Sequence, residues 1–209
     1  MAAVKICGCR SRGDVELALA WGARYIGFIL ASSSRNVALE DAAKIARDLP
    51  DAVIPVAVLV HPTRQEIDEV LEVMPRAHVQ LSGDELPEFV ASLEVPIIKT
   101  IHVHPAQTDT SLIRAACNQF PRARILFDTK VHASYGGTGQ TFSWESIADI
   151  ARERDVFVAG GLTPENVAHC VQSVRPFGVD VRSGVETNGE KDPVKVHAFC
   201  KAVKDANEA

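Results

Sequence analysis

Apolar runs with β-type composition alternate with stretches of helical spacing eight times along the chain. Val4-Lys5-Ile6-Cys7 is the first strand. Asp14 reads as the cap of a helix from Val15 to Trp21, and Gly22 as its stop. Further strands are predicted over Tyr25 to Leu30, Ile54 to Val60, His78 to Leu81, Pro96 to Ile101, from Arg124 to Phe127, Val156 to Ala159 and Gly178 to Val181. The helices between them are predicted over Leu39 to Leu49, Thr63 to Met74, Glu85 to Leu93, Thr110 to Asn118 and Ser143 to Arg152. A seventh helix is read from Pro164 to Val174, with Thr163 as cap and Pro164 at the first position, and a closing helix from Val194 to Val203.

Strict strand–helix alternation predicts a parallel sheet, and eight units predict closure rather than an open sheet. The expected fold is α/β, a single (β/α)8 TIM barrel spanning 1–209. At 209 residues the chain is short for such a barrel, which typically has about 250, so its loops must be tight. A doubly wound dinucleotide fold would need G-x-G-x-x-G after the first strand, and Cys7-Gly8-Cys9-Arg10 does not supply it. Four strand ends finish in small or ionisable residues: Lys5-Ile6-Cys7-Gly8, Leu126 to Lys130, Ala159-Gly160-Gly161-Leu162 and Gly178 to Gly184. A barrel gathers such distant ends at the C-terminal rim of its strands, where its site sits.

Composition supports a folded core: 46% of residues are hydrophobic and 23% charged. Only the tail Ala206-Asn207-Glu208-Ala209 reads as disordered. A net charge of -5 argues against nucleic-acid binding, so an anionic ligand would need a local positive patch. No targeting segment is read at Met1-Ala2-Ala3, and no apolar run approaches the roughly 20 residues of a membrane span. Five scattered cysteines without a C-x-x-C pair predict a reduced, cytoplasmic protein. The expected partner is a small-molecule substrate, with no nucleic acid and no membrane. A monomer is expected, with a homodimer as the alternative.

Cys7 ends the first strand. Lys5, two residues earlier, should share its face and favour the thiolate. Position alone leaves two readings open, a buried structural cysteine or a base. Asp128 ends an apolar run. It reads either as a turn aspartate or as a partly buried acid whose raised pKa lets it deliver a proton. Gly160-Gly161 after the seventh strand and Arg182-Ser183-Gly184 after the eighth lie where barrels often seat phosphate. Gly137 belongs to the glycine-rich stretch Tyr135 to Gln140, read as a lid or a plain loop. Arg35 follows the second strand, either solvated or able to fork onto a carboxylate. His102 and His104 are placed after the fifth strand. As a metal pair they lack further ligands, and no metal is expected.

These patches resemble the phosphoribosylanthranilate isomerase family of tryptophan biosynthesis, from Val4-Lys5-Ile6-Cys7-Gly8 to Lys191-Asp192-Pro193. The motifs are Gln80-Leu81-x-Gly83-Asp84-Glu85, Asp128 with Gly136 to Phe142, Gly160 to Val167, and Gly178 to Val181 with Ser183-Gly184-Val185-Glu186. The resemblance implies an Amadori rearrangement without metal or organic cofactor. It implies Cys7 as general base and Asp128 as general acid, Arg35 at a substrate carboxylate, and Asp180 near the ribose hydroxyls. Gly160, Gly161, Ser183 and Gly184 match the phosphate loops, with Arg182 adding charge. Lys5 and Gly137 complete the expected substrate contacts. The chain departs from the pattern at Ser82, where a histidine is common, at Cys9 and Arg182, and in the loop around Arg35, which lacks the usual proline and has Asn36 for an aromatic. The rival readings are another phosphosugar barrel enzyme of the indole-glycerol-phosphate synthase kind, a non-catalytic sensor of a phosphate ligand, and a thiol redox enzyme.

Overall fold

In the computed structural model, which describes residues 1–129 and 141–209, eight parallel strands close on themselves in chain order. They are β1 (Ala3–Cys7), β2 (Tyr25–Ile29), β3 (Ile54–Leu59), β4 (His78–Leu81), β5 (Ile97–Val103), β6 (Arg124–Thr129), β7 (Val156–Val158) and β8 (Gly178–Val181). The helices are α1 (Arg12–Ala20), α2 (Leu39–Arg47), α3 (Arg64–Val73), α4 (Pro87–Ala91), α5 (Thr110–Asn118), α6 (Glu145–Glu153), α7 (Val167–Val174) and α8 (Pro193–Glu208). A 3₁₀ turn, Ser183–Val185, and a short hairpin of β9 (Glu186–Thr187) and β10 (Glu190–Lys191) lie between β8 and α8. Tyr135 to Gln140, including Gly137, lies outside the described residues.

The side-chain alternation of the strands splits the apolar residues in two. Tyr25, Val56, Val58, Ile98, Leu126 and Phe157 fill the barrel, while Ile6, Ile26, Phe28, Val79, Ile125 and Val179 pack outward beneath the helices. The N-terminal end of the barrel is plugged by aromatics: Tyr25 and Phe177 both meet Phe157 edge-on, with ring centres 5.1 and 5.3 Å away. Arg124 lies over the Phe177 ring, 3.9 Å from its centre. With that end filled, the open end is the rim where the strands finish.

Several boundaries differ from the sequence expectation. The cap of α1 is Ser11, and Asp14 sits three residues into the motif, its carboxylate accepting from the Ser11 N–H, so the helix begins at Arg12. Thr163-Pro164 forms a turn instead of opening α7. Asn166 organises it, accepting from Thr163 N at 2.8 Å and donating to Gly161 O at 2.9 Å. β5 runs on to Val103, which puts His102 inside the strand rather than after it. The tail is helical to Glu208, not disordered, because Asn207 bonds both backbone groups of Ala2, at 2.7 and 3.1 Å. That clamp ties the two ends of the chain together beside the β1–β8 seam.

Candidate active site

The rim encloses a cavity of about 760 Å³, within the usual range for a small-molecule site. Cys7, Asp128 and Asp180 line it, with Arg35 from the β2 loop, Gly160 and Gly161 after β7, and Arg182, Ser183 and Gly184 after β8. The two groups singled out for acid–base chemistry therefore share one mouth, although 121 positions separate them in the chain.

Register explains the thiol's surroundings. Closure pairs β1 with β8 and sets Lys5 opposite Asp180; β1 and β2 set Cys7 opposite Gly27. Lys5 Nζ lies 2.9 Å from Asp180 Oδ1, with side-chain exposures of 0% and 8%. A β-carbon at Gly27 would fall 2.9 Å from Cys7 Sγ and 3.2 Å from Lys5 Nζ, so glycine there makes the space both groups occupy. Burial works to lower the Lys5 pKa, but the Asp180 carboxylate and the Cys7 thiol outweigh it and hold the ammonium charged. Lys5 is thus fully buried beside the thiol and is not among the residues that line the cavity. Its effect on Cys7 is also smaller than the sequence suggested. Burial pushes the thiol up, Lys5 pulls it down, and Asp180 pushes it up again, with a net upward shift. Asp180→Ala should destabilise the fold by about 3–5 kcal/mol, measured by urea unfolding, because it leaves a buried ammonium unpaired.

Asp128 is pushed up by burial and by Asp180, and held down by His102, the Thr129 N–H and Arg182; burial dominates. Its Oδ1 would lie 2.7 Å from a β-carbon at Gly160, where φ is +79°. Glycine is required there twice over, for conformation and for the acid's position.

Three residues in and around this site have roles that the sequence reading does not assign. His102 faces the cavity in register with Asp128 and meets Ser82 O through Nε2 at 3.1 Å. The backbone carbonyl only accepts, so Nε2 carries the proton. Gly27 was read only as part of a strand. Glu186 accepts from Arg35 Nε at 3.2 Å and from Nη2 at 2.9 Å. Arg35 therefore does fork onto a carboxylate, but an internal one. His104 is exposed, its Nδ1 accepting from Ala106 N at 3.1 Å. Among the described residues, no group of three or more metal-ligating side chains forms. The other cysteines are packing residues: burial drives Cys9, Cys170 and Cys200 to about 12 and Cys117 to about 11, far from reactive thiolates.

A closed β/α barrel with a thiol on β1, a carboxyl on β6 and glycine-rich turns after the two strands between them defines a small β/α-barrel enzyme. The family model described as N-(5'phosphoribosyl)anthranilate (PRA) isomerase matches residues 4–202, and the chain belongs to that family. The N-(5'-phosphoribosyl)anthranilate isomerase of Listeria monocytogenes serovar 1/2a is 37% identical over 202 residues, covering 96% of this chain and 98% of that protein. The crystal structure of phosphoribosyl anthranilate isomerase from Thermotoga maritima superposes with a TM-score of 0.88 at 35% identity, covering 98% of this chain and 100% of that one. A second phosphoribosyl anthranilate isomerase structure, in complex with reduced 1-(o-carboxyphenylamino)-1-deoxyribulose 5-phosphate, gives 0.85 at 32% identity, covering 98% and 100%. No helix among the described residues is long and apolar enough to cross a membrane.

Proposed function

We propose that this chain performs its family's reaction, the Amadori rearrangement of N-(5-phosphoribosyl)anthranilate to 1-(2-carboxyphenylamino)-1-deoxyribulose 5-phosphate in tryptophan biosynthesis, with Cys7 as base and Asp128 as acid. The observation that carries the assignment is their convergence on one cavity from β1 and β6. Asp128 gives its proton to the furanose oxygen as the C1–O bond breaks, and the nitrogen lone pair forms an iminium at C1. The Cys7 thiolate takes the proton from C2. The C–H electrons form a C1–C2 double bond and the iminium pair returns to nitrogen. The enol hydroxyl at C2 then loses its proton while C1 gains one, leaving a ketone. No atom is gained or lost, and neither a metal nor a redox partner enters the balance.

The two anionic ends of the substrate are assigned to separate cationic groups of the mouth. The phosphate is assigned to Gly160, Gly161, Ser183 and Gly184 with Arg182, and the carboxylate to Arg35. Asp180 serves the site through Lys5 and the cavity wall. Arg182→Ser is expected to raise KM about tenfold, the worth of one charge-assisted hydrogen bond; an unchanged KM overturns its place in the phosphate seat. The test of the function itself is turnover, followed as loss of anthranilate-type fluorescence. A non-catalytic phosphate sensor predicts binding without that loss. Five buried free cysteines support the cytoplasm as its compartment. A monomer is the proposed state, with a homodimer as the alternative that light scattering distinguishes.

A further inference from the structure

Arg35 has five N–H donors, and three are committed within the protein: Nε and Nη2 to Glu186 Oε2, and Nη1 to Ser34 Oγ at 2.7 Å. Glu186 Oε1 meets Lys191 Nζ at 3.0 Å, and that ammonium also donates to Arg182 O at 3.1 Å. Lys195 Nζ donates to Glu186 O at 2.7 Å. The Glu186 and Lys191 side chains are 4% and 2% exposed, whereas Arg35 is 27% exposed and lines the cavity. One carboxylate thus sits between two cations. The three groups sum to one positive charge, and Arg35 is the member that meets the cavity. An exposed ion pair would be worth little, but a buried carboxylate with every oxygen engaged fixes the geometry of what it holds.

We propose that Glu186 is a positioning residue: it braces the Arg35 guanidinium against the β8 side of the rim, so that its two uncommitted donors receive an anionic group of the substrate. This rests on the assignment of Arg35 to the substrate carboxylate. The same side chain, through Lys191 and the Arg182 carbonyl, ties the carboxylate end of the site to the turn that carries Ser183 and Gly184. A guanidinium held by two donors on one side loses less freedom on binding than one that must be ordered from solvent, so the effect falls on binding rather than on chemistry.

Steady-state kinetics of the full-length enzyme on phosphoribosylanthranilate test this with Glu186→Asp, Glu186→Gln, Arg35→Ala and the Arg35→Ala/Glu186→Asp double variant. Glu186→Asp keeps the charge that Lys191 needs but withdraws the oxygen from Arg35 by one methylene. It is expected to raise KM about tenfold with kcat within about twofold of wild type. Glu186→Gln keeps the shape and loses the charge, and should raise KM at least as far, which provides a second reading if either variant folds poorly. In the Arg35→Ala background, Glu186→Asp should add less than about twofold, because its target is gone. A wild-type KM in both Glu186 variants, or the same increase with and without Arg35, overturns the proposal while leaving Arg35 in place. A wild-type KM in Arg35→Ala removes the underlying assignment instead.

Discussion

Cys7→Ala is expected to lower kcat by about 10³-fold or more with the barrel intact, because it removes the group assigned to take the C2 proton. Among the described residues, nothing else on the rim is placed to replace it. Lys5 is a charged ammonium held by Asp180, and Cys9 packs outward with its thiol near Ile6 O at 3.7 Å. Asp180 also lines the cavity, but its carboxylate is engaged by the buried Lys5 ammonium. Cys7→Ser sharpens the test. The hydroxyl fits the space beside Gly27, but its pKa is too high for it to serve as a base near neutrality, so this variant should be as inactive as the alanine. Circular dichroism and thermal melting check that folding survives. Anthranilate fluorescence lost at the wild-type rate in either variant would end the assignment of Cys7 as base.

How much of this was legible in the chain depends on where each signal resides. β4, α5 and β8 were read to the residue, because alternation and helical spacing are properties of short segments. The shared face of Lys5 and Cys7 was legible for the same reason. The partner of Lys5 was not. Asp180 reaches it only because closure brings the last strand beside the first, 175 positions away. Glu186 escaped notice as a motif residue without a contact, since its partners lie in the β2 loop and beyond β9. His102 was discounted as half of a poor metal pair. Counting by twos from Ile98 and Thr100 places it on the inner face, but only if the strand is carried past Ile101. The start of α1 was misplaced by reading Asp14 as the cap when Ser11-x-x-Asp14 is a reciprocal capping motif with an aspartate in the acidic position. The Asn166 side chain holds the turn ahead of α7 by bonding Thr163 N and Gly161 O, a contact that cap preference at Thr163-Pro164 does not reveal.

Asp128→Asn should also cost about 10²–10⁴ in kcat, and its pH profile separates loss of a proton donor from loss of structure. Burial raises both the carboxyl and the thiol. The productive state is a protonated Asp128 beside a thiolate. Between the two titrations the pair holds one proton, and the productive form is a constant fraction of that state. The wild-type profile is therefore bell-shaped, falling on the acidic side where the pair gains a second proton and on the alkaline side where it loses its last one. Asparagine cannot release a proton. In Asp128→Asn the alkaline fall caused by loss of the shared proton disappears, and residual activity climbs with pH through the thiol's titration to a plateau. Stability moves the other way. A carboxyl whose folded pKa is raised stabilises the fold below its unfolded pKa and loses that contribution as pH rises through the folded value. An amide at this position avoids the loss, so the variant should be at least as stable as wild type in neutral urea melts. A stable Asp128→Asn protein with wild-type kcat, or one whose residual rate still falls on the alkaline side, would show that the proton reaching the ring oxygen comes from elsewhere.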